Sequence, residues 1–133
     1  MALRILLDTN VLVRYLQEPR KLSRDQLRLL DNSHLRNEGM AISAITLLEV
    51  ARLVSDGRSR FHQSVETLMN ELEVDASLTV LPITFEIAIE SAKLTGLRDP
   101  ADRAIVATAR VHRLKLLTAD QKIIELKLAD VVA

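Results

Sequence analysis

The sequence predicts an α/β domain, a three-layer sandwich in which a mostly parallel central sheet of four or five strands lies between helices. Short aliphatic runs alternate with segments whose apolar residues recur at helical spacing, which is typical of right-handed βαβ units. Hydrophobic residues make up 48% of the 133 residues and charged residues 27%, as in a folded globular domain. No repeat, low-complexity tract or linker-like run interrupts the chain, and we therefore expect one domain over residues 1–133.

The strands are predicted from aliphatic runs that end at turn or capping residues. The first run, Leu3–Leu7, is followed at once by Asp8-Thr9-Asn10, which indicates a fully buried strand and then a helix start. The later strand candidates are Met40–Ser43, Leu78–Leu81, Leu116–Thr118 and an edge strand at Val131–Val132.

The helices are predicted from apolar residues at i, i+3, i+4 and i+7 and from residues that start and stop helices. In chain order, the candidates are about Val11–Gln17, Ser23–Asn37 with spacing at Leu27, Leu30 and His34, a segment with Leu47, Val50, Ala51 and Val54, a segment with Phe61, Val65, Leu68 and Leu72, a segment with Phe85, Ala88, Ile89 and Ala92, Pro100 to about His112, and about Gln121–Leu126. Gly57 is expected to stop the third helix, Gly96 to cap the fifth at its C-terminus, and Pro100 to occupy the favoured first position of the sixth.

The composition excludes several classes of function. Without cysteine there is no disulfide framework, thiolate zinc site, iron–sulfur cluster or cysteine nucleophile. Tyr15, Phe61 and Phe85 are the only aromatic residues, which removes the stacking platforms of many single-strand-binding domains. Eighteen Lys and Arg balance eighteen Asp and Glu, so net charge gives no reason to expect nucleic-acid binding. Neither a signal peptide nor a membrane span is evident, and we expect a cytoplasmic protein with no membrane partner.

Five acidic residues fall where predicted strands meet helices. Asp8 follows the first strand, Glu49 lies in the first turns of the helix after the second, and Asp120 lies just past the fourth strand. Asp99 and Asp102 open the sixth helix. In open parallel sheets, ligands collect beyond the carboxyl ends of the strands, where such junctions converge. We therefore expect these acids to form one site.

Helix capping is the alternative explanation for each acid taken singly. Thr46 and Glu49 have the spacing of a capping box, and Asp8, Asp99 and Asp120 stand where N-caps are expected. Because Ser, Thr or Asn also cap, an acid at every junction exceeds what helix starts require. Two carboxylates about 4 Å apart repel by about 4 kcal/mol at an effective dielectric constant near 20. Oxygen ligands without His or Cys suit Mg²⁺ or Mn²⁺, and such a site is suited to phosphodiester hydrolysis.

The acidic motifs resemble those of PIN-domain nucleases, and the compact length resembles the VapC-type toxins of toxin–antitoxin modules. The resemblance spans nearly the whole chain and rests on Leu6-Leu7-Asp8-Thr9-Asn10, Ile45-Thr46-Leu47-Leu48-Glu49-Val50, Asp99-Pro100-Ala101-Asp102-Arg103 and Leu117-Thr118-Ala119-Asp120. One family feature is absent, because many relatives have His shortly before the Asp-Pro pair where this chain has Gly96-Leu97-Arg98.

The resemblance implies a PIN-like fold and a ribonuclease that depends on Mg²⁺ or Mn²⁺. The implied catalytic and metal-binding residues are Asp8, Glu49, Asp102 and Asp120. The implied auxiliary residues are Asp99, Thr9 and Thr118. It also implies RNA as the substrate, a homodimer, and an antitoxin partner whose tail covers the acidic pocket.

Other functions stay open or are disfavoured by particular residues. A non-catalytic PIN-like module that binds RNA or protein stays open as the alternative, although all of the core acids are present. A haloacid-dehalogenase phosphatase would need Asp two positions after Asp8, where this chain has Asn10. A receiver domain would need an adjacent acidic pair early in the chain and a late Lys after a strand, which the sequence lacks. Gly39, Gly57 and Gly96 form neither a Walker loop nor a dinucleotide fingerprint.

The basic residues and histidines give no independent site. His34, His62 and His112 lack metal-ligand spacing and are assigned no role. The arginines expected near the acidic edge are Arg14, Arg52, Arg98, Arg103 and Arg110. Two roles stay open for these arginines. They can pair with neighbouring acids, as Arg52 can with Glu49 at i, i+3, or they can contact RNA phosphates. The basic runs at 19–21 and 57–60 are expected to be solvated loops.

Overall fold

The sheet of the computed structural model has five strands, all parallel, in the order β3-β2-β1-β4-β5. The structure describes residues 2–57 and 61–133. The strands are β1 (Ile5–Leu7), β2 (Met40–Ser43), β3 (Leu78–Leu81), β4 (Lys115–Leu117) and β5 (Val131–Val132). The five-stranded parallel sheet between helices confirms the predicted fold class.

The helices of the described residues follow the predicted order. They are α1 (Thr9–Gln17), α2 (Arg24–Arg36), α3 (Ala44–Ser55), α4 (Val65–Val74), α5 (Phe85–Ala92), α6 (Pro100–His112) and α7 (Gln121–Leu126), with a short 3-10 helix at Pro19–Lys21. Phe61 precedes the fourth helix, because Ser64 is its N-cap and accepts a hydrogen bond from the Thr67 amide. Across residues 2–57 and 61–133, none of the helices is long and apolar enough to cross a membrane.

Two of the predicted caps are wrong. Thr46 and Glu49 do not form a capping box, because α3 begins three residues earlier than Thr46 suggests, with the Ser43 hydroxyl accepting from the Ile45 amide. Gly96 does not cap α5, which ends at Ala92 with Lys93 as its C-cap. Three other helices end in the left-handed conformation without glycine, and their C-caps are Asn37, Arg113 and Lys127.

The sheet buries both of its faces, as a fully covered parallel sheet must. Side chains alternate along β1, so Leu6 faces one helical layer while Ile5 and Leu7 face the other. On the Leu6 face, the fully buried large side chains are Ile87, Ile105, Leu116 and Ile123. On the opposite face they include Leu12, Leu30, Ile42 and Leu68. Because all five strands are parallel, their carboxyl ends lie at the same edge of this sheet.

The apolar residues whose spacing predicts α5 do not face the core. Phe85, Ala88, Ile89 and Ala92 all lie on the surface, with Phe85 92% and Ile89 62% exposed, whereas Ile87 is completely buried. The spacing correctly marks an apolar stripe. However, spacing does not specify which surface covers that stripe, and α5 packs on the domain through the other side.

The inward face of α2 is only partly apolar. Of the three residues whose spacing predicts this helix, Leu30 is buried, Leu27 is partly buried and His34 is exposed. The other inward positions are polar, Gln26 and Ser33. A search for apolar residues does not identify either position, and the buried Gln26 has its hydrogen-bond acceptors in distant parts of the chain.

Candidate metal centre

The five acids predicted from sequence line one open cavity of about 420 Å³ at the carboxyl edge of the sheet. β1 and β4 are adjacent parallel strands, so Asp8 after one and Asp120 after the other come to the same edge. α3 follows β2 and brings Glu49, while the N-terminus of α6 brings Asp99 and Asp102. Residues separated by up to 112 positions therefore share one solvent-filled space. The remaining lining residues are Thr9, Asn10, Arg52, Leu53 and Asp56.

Asp8 is the most enclosed of these acids, with 6% of its surface exposed. Its Oδ1 accepts a hydrogen bond from the Thr9 amide at 2.8 Å, and its Oδ2 accepts from the Thr118 hydroxyl at 2.7 Å. Burial raises the pKa of Asp8, the two hydrogen bonds oppose that rise, and repulsion from Asp120 and Asp99 adds to it. Both oxygens of Asp8 are thus held in place before any ligand binds.

Two threonines orient Glu49 on the other side of the cavity. The Thr9 hydroxyl donates to Glu49 Oε1, and it lies 3.0 Å from the Thr46 hydroxyl oxygen. Because Thr9 gives its only hydroxyl proton to the carboxylate, Thr46 must be the donor to Thr9. Burial raises the pKa of Glu49, the Thr9 hydrogen bond lowers it, and Asp8 and Asp99 raise it further. Thr46 was assigned only to a cap from sequence, although its i, i+3 spacing to Glu49 places both on one face of α3.

Asp99 and Asp120 are N-caps that also face the cavity. Asp99 Oδ1 accepts from the Ala101 amide at 2.8 Å. Asp120 Oδ1 accepts from the amides of Lys122 and Ile123 at 2.9 and 3.2 Å. Within the described residues, the second carboxylate oxygen of each has no hydrogen-bond donor. Both side chains therefore keep one oxygen available to a ligand.

Asp102, at the third position of α6, carries the largest electrostatic penalty in the cavity. Burial and repulsion from Asp99, Asp8, Asp120 and Glu49, in that order, raise its pKa to about 7. No hydrogen bond from the described part of the chain reaches its side chain. A carboxylate in this environment is poised to bind a proton or a cation.

Basic side chains do not neutralise the cluster. Among the described residues, no ion pair joins Lys or Arg to any of the five acids. Arg52 lines the cavity but pairs with Asp56 at 3.7 Å, so the Glu49–Arg52 pair allowed by sequence is not formed. Arg103 donates from Nε to the Leu97 carbonyl.

Arg110 was expected near the acidic edge, and this prediction is wrong. It lies in the last turn of α6, whereas the acids lie at the first turn. Its Nε donates to Glu90 at 2.8 Å and its Nη1 to the Leu128 carbonyl at 2.9 Å. Arg110 therefore joins α5 and α6 to the segment before β5.

The donor set fits a hard divalent cation in its chemistry. All ligand candidates are oxygens, which Mg²⁺ and Mn²⁺ prefer. Burial, and then repulsion between the acids, raises the pKa values of Asp8, Glu49 and Asp102, and a bound cation would offset both effects. In the described chain, no three acids are close enough together to enclose one ion by themselves. Because Mg²⁺ retains several water ligands when few carboxylates bind it, this spacing is compatible with one or two direct carboxylates and bridging waters.

Comparison with known proteins identifies the family to which this chain belongs. A ribonuclease, VapC22 from Mycobacterium tuberculosis, is 28% identical over 121 residues, covering 90% of this chain and 88% of the relative. Crystallised FitAcB from Neisseria gonorrhoeae is 25% identical, with 97% of this chain and 96% of that chain covered and a TM-score of 0.71. VapBC2 from Rickettsia felis shares the fold with a TM-score of 0.73 at 17% identity, covering 98% of each chain. The family model for the PIN domain matches residues 5–128. This chain belongs to the PIN domain family.

Proposed function

We propose that this chain is a metal-dependent ribonuclease that hydrolyses RNA phosphodiester bonds at the acidic cavity. The observation that carries the proposal is the convergence of five acids, which follow β1 and β4 or lie on α3 and at the start of α6, on one open cavity without a basic partner in the described chain. The relationship to the ribonuclease VapC22 supports RNA as the substrate. A single domain over residues 1–133 and a cytoplasmic location are parts of the same proposal.

The proposed metal ligands and catalytic residues are Asp8, Glu49, Asp102 and Asp120, with Asp99 as an auxiliary acid. Mg²⁺ or Mn²⁺ at this position would lower the pKa of a water molecule and offset charge on the scissile phosphate and the leaving oxygen. Asp102 and the second oxygen of Asp120 are partly exposed and accept no hydrogen bond from the described chain, so both remain available to such an ion.

The neighbouring threonines are proposed to position the acids rather than to react. Thr118 fixes Oδ2 of Asp8, and Thr9 fixes Oε1 of Glu49. Thr118 also accepts from the Asp120 amide at 3.1 Å, so one hydroxyl links the two acids that follow β1 and β4. This connection keeps the acidic edge organised without requiring the substrate.

The toxin role and the partners are proposed from the relatives. Toxin–antitoxin complexes are among the similar structures, including one from Klebsiella pneumoniae with a TM-score of 0.69 at 24% identity. We propose that this chain is likewise a toxin whose cavity is covered by the tail of an antitoxin. A non-catalytic module that binds RNA or protein is the alternative, and the intact acid set weighs against it.

The exposed stripe on α5 supports the proposed homodimer. Phe85 and Ile89 flank the small residues Ala88 and Ala92, so the same stripe of a second copy could approach closely about a twofold axis. A buried aromatic side chain contributes about 150–250 Å², and Ile83, 47% exposed, adds to the patch. Exposed apolar side chains of this size suit the apolar core of an interface, which in a stable complex buries about 800 Å² per partner.

The products of cleavage test the proposed function. Attack by water with loss of the 3′ oxygen leaves a 5′-phosphate and a 3′-hydroxyl, whereas attack by the ribose 2′-hydroxyl leaves a cyclic phosphate and a 5′-hydroxyl. We expect 5′-phosphate ends, inhibition by EDTA, and a fall in rate of at least about 100-fold in Asp102→Asn.

The control is Asp130→Asn, which removes an exposed carboxylate outside the cavity. Its cleavage rate should match that of the wild type. Cyclic-phosphate ends, or EDTA-resistant cleavage by protein free of contaminating nuclease, would contradict the mechanism. Specific RNA binding without cleavage of any RNA in a broad panel would favour the non-catalytic module.

A further inference from the structure

Gln26 is a buried amide that reaches across the domain to the acidic edge. It lies in the first turn of α2 and is 2% exposed. Its Nε2 donates to the Thr118 carbonyl at 3.2 Å and to the Val132 carbonyl at 3.0 Å. One side chain thus links α2 to the residues at the ends of β4 and β5.

The orientation of this amide is fixed by the start of its own helix. The backbone N–H of Ser23 donates to Gln26 Oε1 at 3.3 Å, and the Ser23 hydroxyl accepts from the backbone N–H of Gln26 at 3.1 Å. The side-chain oxygen of Gln26 therefore faces Ser23, and its side-chain nitrogen faces the ends of β4 and β5. Both of its protons have acceptors, which is the arrangement expected of a fully buried glutamine.

One acceptor of the Gln26 side chain is the backbone carbonyl of Thr118, the residue that directly follows β4. Thr118 is completely buried, and its own amide donates to the Val132 carbonyl at 3.3 Å. Its hydroxyl is the group that donates to Asp8 and accepts from the Asp120 amide. A displacement of the Thr118 backbone would therefore move the hydroxyl that orders both acids.

We propose that Gln26 is a positioning residue of the acidic site, which holds Thr118 so that its hydroxyl keeps Asp8 and Asp120 in a metal-binding arrangement. The inference rests on the proposed metal-dependent function. Gln26 faces away from the cavity and touches no reacting group, so it acts only through Thr118. Supporting residues of this kind affect metal affinity by about 10- to 100-fold when replaced.

The first experiment needs no metal. Gln26→Met keeps the length of the side chain and removes its hydrogen bonds, and Ser33→Ala is the matched control because Ser33 is a buried polar residue two turns further along α2. Amide hydrogen exchange is measured by NMR in EDTA, with the amide of Ile42 in β2 as the core reference. We expect exchange at Thr118 and Asp120 to accelerate at least about tenfold relative to Ile42 in Gln26→Met but not in Ser33→Ala.

The second experiment measures Mn²⁺ affinity from the EPR signal of the free ion. Affinity should fall at least about tenfold in Gln26→Met and stay within about twofold of the wild type in Ser33→Ala. If Gln26→Met does not fold, Gln26→Glu is used instead. The Glu side chain keeps an acceptor for the backbone N–H of Ser23, but it places an oxygen against the carbonyls of Thr118 and Val132 where Gln26 has a donor. The same losses are expected.

The outcomes separate this inference from the proposed function. Absence of Mn²⁺ binding by the wild type would overturn the metal-dependent function, while the exchange experiment would still decide whether Gln26 holds Thr118. Unchanged exchange at Thr118 and Asp120 would overturn the inference even if the wild type binds Mn²⁺. Faster exchange with unchanged Mn²⁺ affinity would also overturn it, because Gln26 would then support only the fold.

Discussion

Removal of one charge from the acidic cavity is expected to stabilise the metal-free protein. In Asp102→Asn, the group whose pKa is raised to about 7 from its ordinary value of 3.8 becomes neutral at every pH. A tenfold change in proton affinity is worth about 1.4 kcal/mol, which sets a ceiling of about 4 kcal/mol. Because Asp102 is partly in contact with water, screening reduces the expected gain to about 1–2 kcal/mol.

The gain must depend on pH in a defined direction. The folded protein binds the Asp102 proton more tightly than the unfolded chain, so the stability of the wild type falls as the pH rises from about 4 to about 7 and is level above that range. In EDTA at about pH 8, the melting temperature of Asp102→Asn should exceed that of the wild type by roughly 3–8 °C. The difference should shrink steadily as the pH is lowered toward 4.

The difference in melting temperature is measured by circular dichroism for both proteins over this pH series, with Asp130→Asn as the control. Asp130 is exposed and outside the cavity, so its replacement should not reproduce the gain. A lower melting temperature for Asp102→Asn in EDTA at high pH would refute the reasoning. A gain of equal size across the whole pH series would refute it as well.

Three further predictions concern the site, the surface and the core. Excess Mg²⁺ should raise the wild-type melting temperature, by about 2.7 kcal/mol of stability at 100 times the dissociation constant, and Asp8→Asn should lose most of this increment; an equal increment would exclude Asp8 as a ligand. Phe85→Glu should convert the proposed dimer into a folded monomer whose melting temperature no longer depends on protein concentration, and sedimentation equilibrium showing a wild-type monomer at micromolar concentration would contradict the dimer. Leu30→Ala should cost about 2–5 kcal/mol in urea unfolding because Leu30 is fully buried, and a loss well below that range would show that the core closes around the gap.

The acidic cavity was predictable because it depends on local signals and one topological rule. Asp8 and Asp120 each follow an aliphatic strand, and parallel strands present their carboxyl ends at the same edge. The sequence does not predict that β4 lies beside β1. However, parallel strands present their carboxyl ends at the same edge in whatever order they are arranged in the sheet. The start of α6 was also predictable from a local signal, since Asp99 and Pro100 mark it without reference to the rest of the fold.

The supporting residues were not predictable, because their partners are distant in sequence. Thr46 contacts Thr9 across 37 positions, and Gln26 contacts Thr118 across 92. The local signals at these residues, a capping box for Gln26 and the i, i+3 spacing to Glu49 for Thr46, do not identify the distant partners. The same limitation explains Arg110, whose side chain binds Glu90 and not the acidic edge.

Capping and metal binding are compatible roles for one carboxylate, and Asp120 allows them to be separated. Its Oδ1 caps α7 through two amides, while its second oxygen has no donor in the part of the chain that the structure describes. Asparagine caps a helix about as well as aspartate. Asp120→Asn should therefore keep the cap and remove only the charge, so that the melting temperature in EDTA is unchanged or slightly raised while Mn²⁺ affinity falls. Asp120→Ala provides the comparison, because it removes both roles and should also destabilise the protein by about 1 kcal/mol. Unchanged Mn²⁺ affinity in Asp120→Asn would assign this residue to the helix alone.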